Sequence, residues 1–274
     1  MAATNKSVIV TGAASGMGLA MTMALLTAGD DVTAVDLNAP ALAELAKRAA
    51  NLRGKVKTVT ADLSKPDSFA QVTAAALIAF GRIDVLVNNA GIGQAALRPD
   101  ARREPIRFWE TTPEQWARFI AVNAAAPINM ARAVLPHMLA AKSGQIITVT
   151  TSLGTMVREG YLLYGSSKAA AEAAMAGLSA DLAGTGVTSN VLVPGGVTNT
   201  PLVGNAGDPA KMLQPEIMAA PLMWLLSDEG KEVNGRRFIA ADWDMSLPPA
   251  EAAEKAGAPI AWGGIARMPI EPPD

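Results

Sequence analysis

The 274-residue chain has no cysteine and a single histidine, His137. Without thiols there can be no disulfide, zinc ribbon, iron–sulfur cluster or thiol nucleophile, and a lone helix histidine after Pro136 reads as a surface or capping residue, so no metal site is expected. Neither sign of charge dominates: 23 Lys+Arg against 25 Asp+Glu leave a formal net charge of -2. No field therefore sweeps nucleic acid or an anionic membrane onto the whole surface. Long apolar runs are missing too, since Lys, Asp, Glu or Arg interrupts every stretch before the ~18 residues a membrane-crossing helix requires. Met1 to Val10, with one lysine and a short apolar run, lacks the length and flanks of a signal peptide. The expectation is a soluble cytoplasmic protein whose chemistry uses neither thiol nor metal.

What is present is half hydrophobic and 18% charged, a globular composition. Length alone gives roughly two domains, but α/β folds of about 250 residues commonly form one, and a single domain is expected. Ser7–Val10 is a β-branched run that enters a Gly-rich turn and an Ala/Leu/Met-rich helix, Gly16–Ala28, closed by Gly29. The alternation continues with strands at Asp31–Asp36, Lys55–Thr60, Ile83–Asn88, Gln145–Thr150, Val187–Val193 and Arg236–Ala240. Between them lie helices at Pro40–Asn51, Pro66–Phe80, Pro113–Ala140, Leu162–Ala183 and Pro215–Ser227. Such alternation implies right-handed crossovers and a doubly wound α/β architecture, a parallel sheet covered on both faces (Rossmann-like). The domain is expected over residues 1–241, with a Pro- and Ala-rich C-terminal extension over 242–274. Gly93–Thr112 is a second long connection, and both are candidates for substrate specificity or subunit contact. Its basic group Arg98, Arg102, Arg103 and Arg107 alternates with Asp100 and Glu104, which reads as a solvated face.

Gly12, Gly16 and Gly18 stand between the first strand and helix, with Ser15 and Met17 among them. That spacing lets backbone N–H groups approach a pyrophosphate at the positive end of the helix. Asp36, next to Leu37, closes the second strand, where a carboxylate accepts hydrogen bonds from ribose hydroxyls and repels a 2′-phosphate. With Ser15 in place of a basic residue in the turn, NAD is expected rather than NADP.

With Asn88-Asn89-Ala90-Gly91, Asn123, Tyr164-Gly165-Ser166-Ser167-Lys168 and Pro194-Gly195 following in order, the chain resembles the short-chain dehydrogenase/reductase family from about Lys6 to Ala241. The resemblance implies that Asp62 and Leu63 contact adenine and that Asn89, Ala90 and Gly91 line the cofactor site. It also implies that Tyr164 is the general acid/base, Lys168 its electrostatic partner and ribose ligand, and Asn123 the holder of a water relay to Lys168. Tyr164 and Lys168 share one helix face, and a neighbouring ammonium favours the phenolate. The family serine falls thirteen residues before the tyrosine, where this chain has Thr151, with Ser152 next to it. Adjacent strand-end residues point to opposite faces, so one of the two meets the substrate oxygen, Thr151 on spacing. In Pro194-Gly195-Gly196-Val197-Thr198-Asn199-Thr200-Pro201 the family's nicotinamide-contacting threonine is matched by Thr198 or Thr200, Thr200 preceding Pro-Leu as is usual.

The resemblance further implies an NAD-dependent oxidoreductase that interconverts a secondary alcohol and a ketone, the substrate a small apolar, cyclic or acyl molecule. Two alternatives stand beside it: a catalytically silent NAD-binding regulator on the same fold, and an NADP-dependent ketoreductase. The Ala-rich helix carrying Tyr164 has small apolar residues on more than one stripe. A homo-oligomer, dimer or tetramer, is the corresponding expectation.

Overall fold

The structure, a computed structural model, describes residues 5–101, 103–204 and 207–263. Arg102 and residues 264–274 of the expected C-terminal extension lie outside the described residues. Strands β1 (Ser7–Thr11), β2 (Asp31–Asp36), β3 (Val56–Thr60), β4 (Val85–Asn88), β5 (Gly144–Val149), β6 (Val187–Val193), β7 (Arg236–Ile239) and β8 (Gly257–Pro259) form one sheet in the order β3-β2-β1-β4-β5-β6-β7-β8. All neighbours pair in parallel except β7 and β8. The strand order reverses between β1 and β4, and the carboxyl ends of strands at such a switch point open a ligand crevice.

Strand side chains alternate between faces, and here both faces are dry, which is why the strands read as continuous apolar runs rather than alternating ones. Val8, Val10, Val87 and Leu192 turn to the side covered by α1 (Gly16–Ala28), α2 (Ala39–Ala49) and α8 (Ala219–Leu225). Ile9, Leu86, Ile146 and Val191 turn to the side covered by α3 (Asp67–Phe80), α5 (Ala126–Ala141) and α7 (Leu162–Asp181).

Three departures from the sequence reading matter. The helix expected over Pro113–Ala140 runs from α4 (Pro113–Ile120) into α5 through a π-helical turn, Ala121–Ala125, that carries Asn123. Among the described residues this run is the one long and apolar enough to cross a membrane by composition; here Met130, Val134 and Met138 bury it against the sheet. The helix expected over Pro215–Ser227 is a 3-10 turn, Pro215–Met218, followed by the shorter α8. Beyond residue 241 the chain forms α9 (Pro249–Ala256), with Ala252, Ala253 and Ala256 buried, and then β8, an antiparallel edge strand. Gly257-Ala-Pro has none of the β-branched residues that mark a strand; the open edge of β7 supplies the pairing.

Candidate active site

The first cleft lies over the carboxyl ends of β1, β2, β3 and β4 and has a volume of about 550 Å³. Ser15 is the N-cap of α1 in an extended conformation and makes no capping bond, and the first turn holds no acidic side chain, so the helix end presents its N–H groups outward. The glycines here are required by contact. A Cβ on Gly18 would fall 2.0 Å from the Gly12 carbonyl oxygen, and one on Gly12, at φ +65, would fall 2.9 Å from Ala90 Cα. The loop after β4 is stitched to this turn: the Thr11 hydroxyl accepts from the backbone N–H groups of Asn89 and Ala90, both at 3.0 Å. Asn89 Nδ2 donates to the carbonyls of Thr11 at 3.0 Å and Gly12 at 3.2 Å. Asp36 accepts from the backbone N–H groups of Ala14 and Asn38, one on each carboxylate oxygen, at 3.0 Å. Asp62, bonded by Ser64, has its carboxyl held below the ordinary carboxylate range by those hydrogen bonds. Gly12, Ser15, Gly16, Met17, Asp36, Leu37, Asp62, Leu63, Asn89, Ala90 and Gly91 all line this cleft; Gly18 packs beneath it.

A second pocket, of about 240 Å³, opens beside the first and shares Met17, Gly93, Ala95, Thr200 and Leu202 with it. Thr151, Ser152 and Tyr164 meet there, together with Pro194, Gly195, Val197 and Thr198. Thr151 and Tyr164 line the same pocket. Burial pushes the Tyr164 phenol up to about 12, the Thr151 hydroxyl acting to lower it, and burial pushes Lys168 down to about 8. Lys168 Nζ donates to the Val149 carbonyl at 2.9 Å. It lies under Gly91, where a Cβ would come within 3.3 Å of Nζ and 3.1 Å of Asn123 Oδ1. Asn123 exchanges hydrogen bonds with the backbone N–H and carbonyl of Ile92, both at 2.9 Å, and donates to Ser167 Oγ at 3.1 Å. Its amide, carried by the π turn, clamps the segment after Gly91. Thr198 is 3% exposed with its hydroxyl on the Gly196 carbonyl, whereas Thr200 sits where the two cavities meet, against Gly16.

The family model described as short chain dehydrogenase matches residues 6–211. The chain belongs to the short-chain dehydrogenase family. It is 31% identical over 242 residues to a 3-oxoacyl-(acyl-carrier-protein) reductase of Thermotoga maritima, covering 84% of this chain and 94% of that one. It is 33% identical over 245 residues to a 2-(R)-hydroxypropyl-CoM dehydrogenase of Xanthobacter autotrophicus, covering 84% and 95%. The crystal structure of a 3-ketoacyl-(acyl-carrier-protein) reductase from Brucella melitensis complexed with NADH superposes with a TM-score of 0.73 at 26% identity, over 84% of this chain and 93% of that one.

In this short-chain dehydrogenase Gly93, Gln94, Ala95, Pro99 and Ala101, from the first half of the long connection, form a wall of the second pocket. Gln94 Nε2 donates to the Gly160 carbonyl, Arg107 pairs with Glu159, and Arg98 pairs with Asp100 at 3.0 Å. Sequence reasoning did not single out three residues in and around this site. Tyr161 meets the Tyr164 ring edge-on at 6.3 Å, and Arg158 lies 5.0 Å over the Tyr161 ring, the one charged side chain among the described residues lining the pocket. The third is Glu172, fully buried and four residues beyond Lys168 on the same stripe of α7. An acidic residue in an Ala-rich helix was its visible signal; its partner, Arg237 of β7, had none.

Proposed function

We propose that this short-chain dehydrogenase is an NAD-dependent oxidoreductase that interconverts a small secondary alcohol and a ketone, with Tyr164 exchanging the hydroxyl proton. One observation carries the reading: Thr151 and Tyr164 line one pocket that opens onto the first cleft, with Lys168 four residues beyond Tyr164 on the same helix, its Nζ on the Val149 carbonyl. The first cleft fits a dinucleotide. The turn has no room for side chains at Gly12 and Gly18, the outward N–H groups of α1 suit a pyrophosphate, and Asp36 keeps free lone pairs for ribose hydroxyls. Asp62 and Leu63 would take the adenine end, and Val197 and Thr200 the nicotinamide end. Two similar reductase structures from Brucella melitensis hold NADH and NAD. A nicotinamide cofactor bound there supplies the hydride acceptor or donor and, when oxidised, a positive charge.

The chain's own residues do the rest. With its phenol pushed up to about 12, Tyr164 holds its proton at neutral pH and is ready to donate it to a carbonyl oxygen; abstraction from an alcohol requires that the phenol be brought down. The Thr151 hydroxyl acts in that direction and orients the substrate oxygen. Lys168, buried and kept by the Val149 carbonyl beneath Gly91, places its ammonium near the ribose side of the cleft. Asn123 holds Ile92 and so the height of Gly91 above Lys168. The pocket's volume admits a small molecule, with Met17, Leu202 and Val203 for an apolar body. Tyr164→Phe tests the reading. Turnover of a panel of secondary alcohols with NAD should vanish while NAD affinity, read by quenching of intrinsic fluorescence, is nearly unchanged. Substantial turnover in that variant refutes the acid/base role.

A further inference from the structure

Glu172 and Arg237 form an ion pair sealed from water: Arg237 Nε lies 2.9 Å from Glu172 Oε1, with side chains 5% and 0% exposed. Burying two charges costs as much as their attraction returns, so a well-packed apolar pair would hold these elements together equally well. Stability alone does not explain the pair, and its remaining bonds do. Arg237 Nη2 donates to the Thr151 carbonyl at 3.1 Å, and the Thr150 hydroxyl donates to Glu172 Oε2 at 2.6 Å. Glu172 Oε1 also accepts the backbone N–H of Ala261, just past β8.

These bonds fall where the chain leaves the sheet. β5 ends at Val149, and the Thr150 N–H makes a last ladder bond to the Leu192 carbonyl at 3.2 Å. The pair thus takes hold of the next two groups in order, the Thr150 hydroxyl and the Thr151 carbonyl. Holding the carbonyl restrains ψ of Thr151, and with it the course of the backbone from which the side chain projects. We infer that Glu172 and Arg237 are positioning residues for the reaction, aiming the Thr151 hydroxyl at Tyr164, and that the C-terminal segment completes the device through Ala261. The inference rests on the proposed role of Thr151.

The test combines three variants, Arg237→Lys, Glu172→Met/Arg237→Met and Thr151→Val, with kcat and KM measured on NAD and small secondary alcohols such as 2-butanol and cyclohexanol. Arg237→Lys keeps a cation for Glu172 but lacks the planar fork that reaches the Thr151 carbonyl at the same time. It should lower kcat about 10- to 100-fold, the scale of a misplaced catalytic group, with NAD affinity nearly unchanged. In the Thr151→Val background the same substitution should cost less than about threefold, because two changes acting through one hydroxyl are not additive. The apolar double variant leaves the Thr151 carbonyl and the Ala261 N–H without these partners and should also be slow; if it does not fold, Arg237→Lys decides. Independently of turnover, ¹³Cζ-tyrosine labelling yields signals from the chain's two tyrosines. Arg237→Lys should shift the Tyr164 resonance in the same direction as Thr151→Val. Penalties that multiply in the combined variant, or an unmoved Tyr164 resonance, overturn the inference and leave the pair a structural contact. If Thr151→Val by itself is fully active, the proposed role of Thr151 fails first and the inference falls with it.

Discussion

Replacing Thr151 by valine removes one hydroxyl and nearly nothing else. The side chain keeps its volume at a site 9% exposed, and its backbone carbonyl still accepts from Arg237, so the loop after β5 should hold its course. Two effects follow. An oriented donor to the substrate oxygen is lost, which typically costs about 10²-fold in rate, or about 2.7 kcal/mol. The Tyr164 phenol, pushed up to about 12 by burial with the Thr151 hydroxyl opposing that shift, loses the opposing contribution and rises further. Alcohol oxidation needs the phenolate, so the ascending limb of its pH profile should move to higher pH; ketone reduction, which needs the protonated phenol, should lose rate without that displacement. Initial rates in both directions between about pH 6 and 10 measure this, with NAD titration and a thermal melt to separate chemistry from binding and folding. Ser152→Ala, at a side chain for which the structure shows no bond to Tyr164, should be milder. A Thr151→Val enzyme within about threefold of wild type, or one faster than Ser152→Ala, refutes the reasoning.

Asp36 should make NAD bind at least about tenfold more tightly than NADP, or about 1.4 kcal/mol, because a 2′-phosphate would sit beside a carboxylate. Fluorescence titration of both cofactors checks it, Asp36→Ala should narrow the gap, and equal wild-type affinities would remove Asp36 from the ribose site. Lys168 makes stability depend on pH. Burial brings it down to about 8 from 10.5, so between those values the unfolded chain binds more protons than the folded one and stability rises with pH. The full rise is at most about 3 kcal/mol, and urea unfolding of the cofactor-free protein should show it flattened in Lys168→Met. A variant with an unchanged slope there would show that Lys168 is not desolvated.

Local chemistry made several elements legible. Gly16–Ala28, Asp31–Asp36 and Val187–Val193 have the same bounds in sequence and structure. Their apolar runs are bounded by residues with one conformational preference, such as Gly29 at φ 107, and two dry sheet faces demand unbroken apolar strands. The glycine turn, Asp36, the Asn-Asn-Ala-Gly segment and the Tyr164/Lys168 spacing were likewise visible, because each sits at an element end or on one helix face. Other features depend on partners distant in sequence. The π turn at Asn123 is invisible in a helical pattern and is held by Ile92, thirty-one residues away. Spacing left Thr151 beside Ser152 and Thr198 beside Thr200; packing brings the Thr151 hydroxyl to where it lowers the Tyr164 phenol and puts Thr200 against Gly16. Residues 257–259 went unread within the Pro- and Ala-rich extension because pairing with the β7 edge, not propensity, makes β8 a strand. Glu172 and Arg237 are separated by 65 residues, and no local pattern shows that a charge in an alanine helix and one of two adjacent arginines meet inside the sheet. The sequence by itself determined the alternation of strands and helices up to residue 241 and named the candidate site residues; tertiary structure decided which of them share a cleft and what holds the loop after β5, since the course of a loop is set by the groups that receive its backbone bonds.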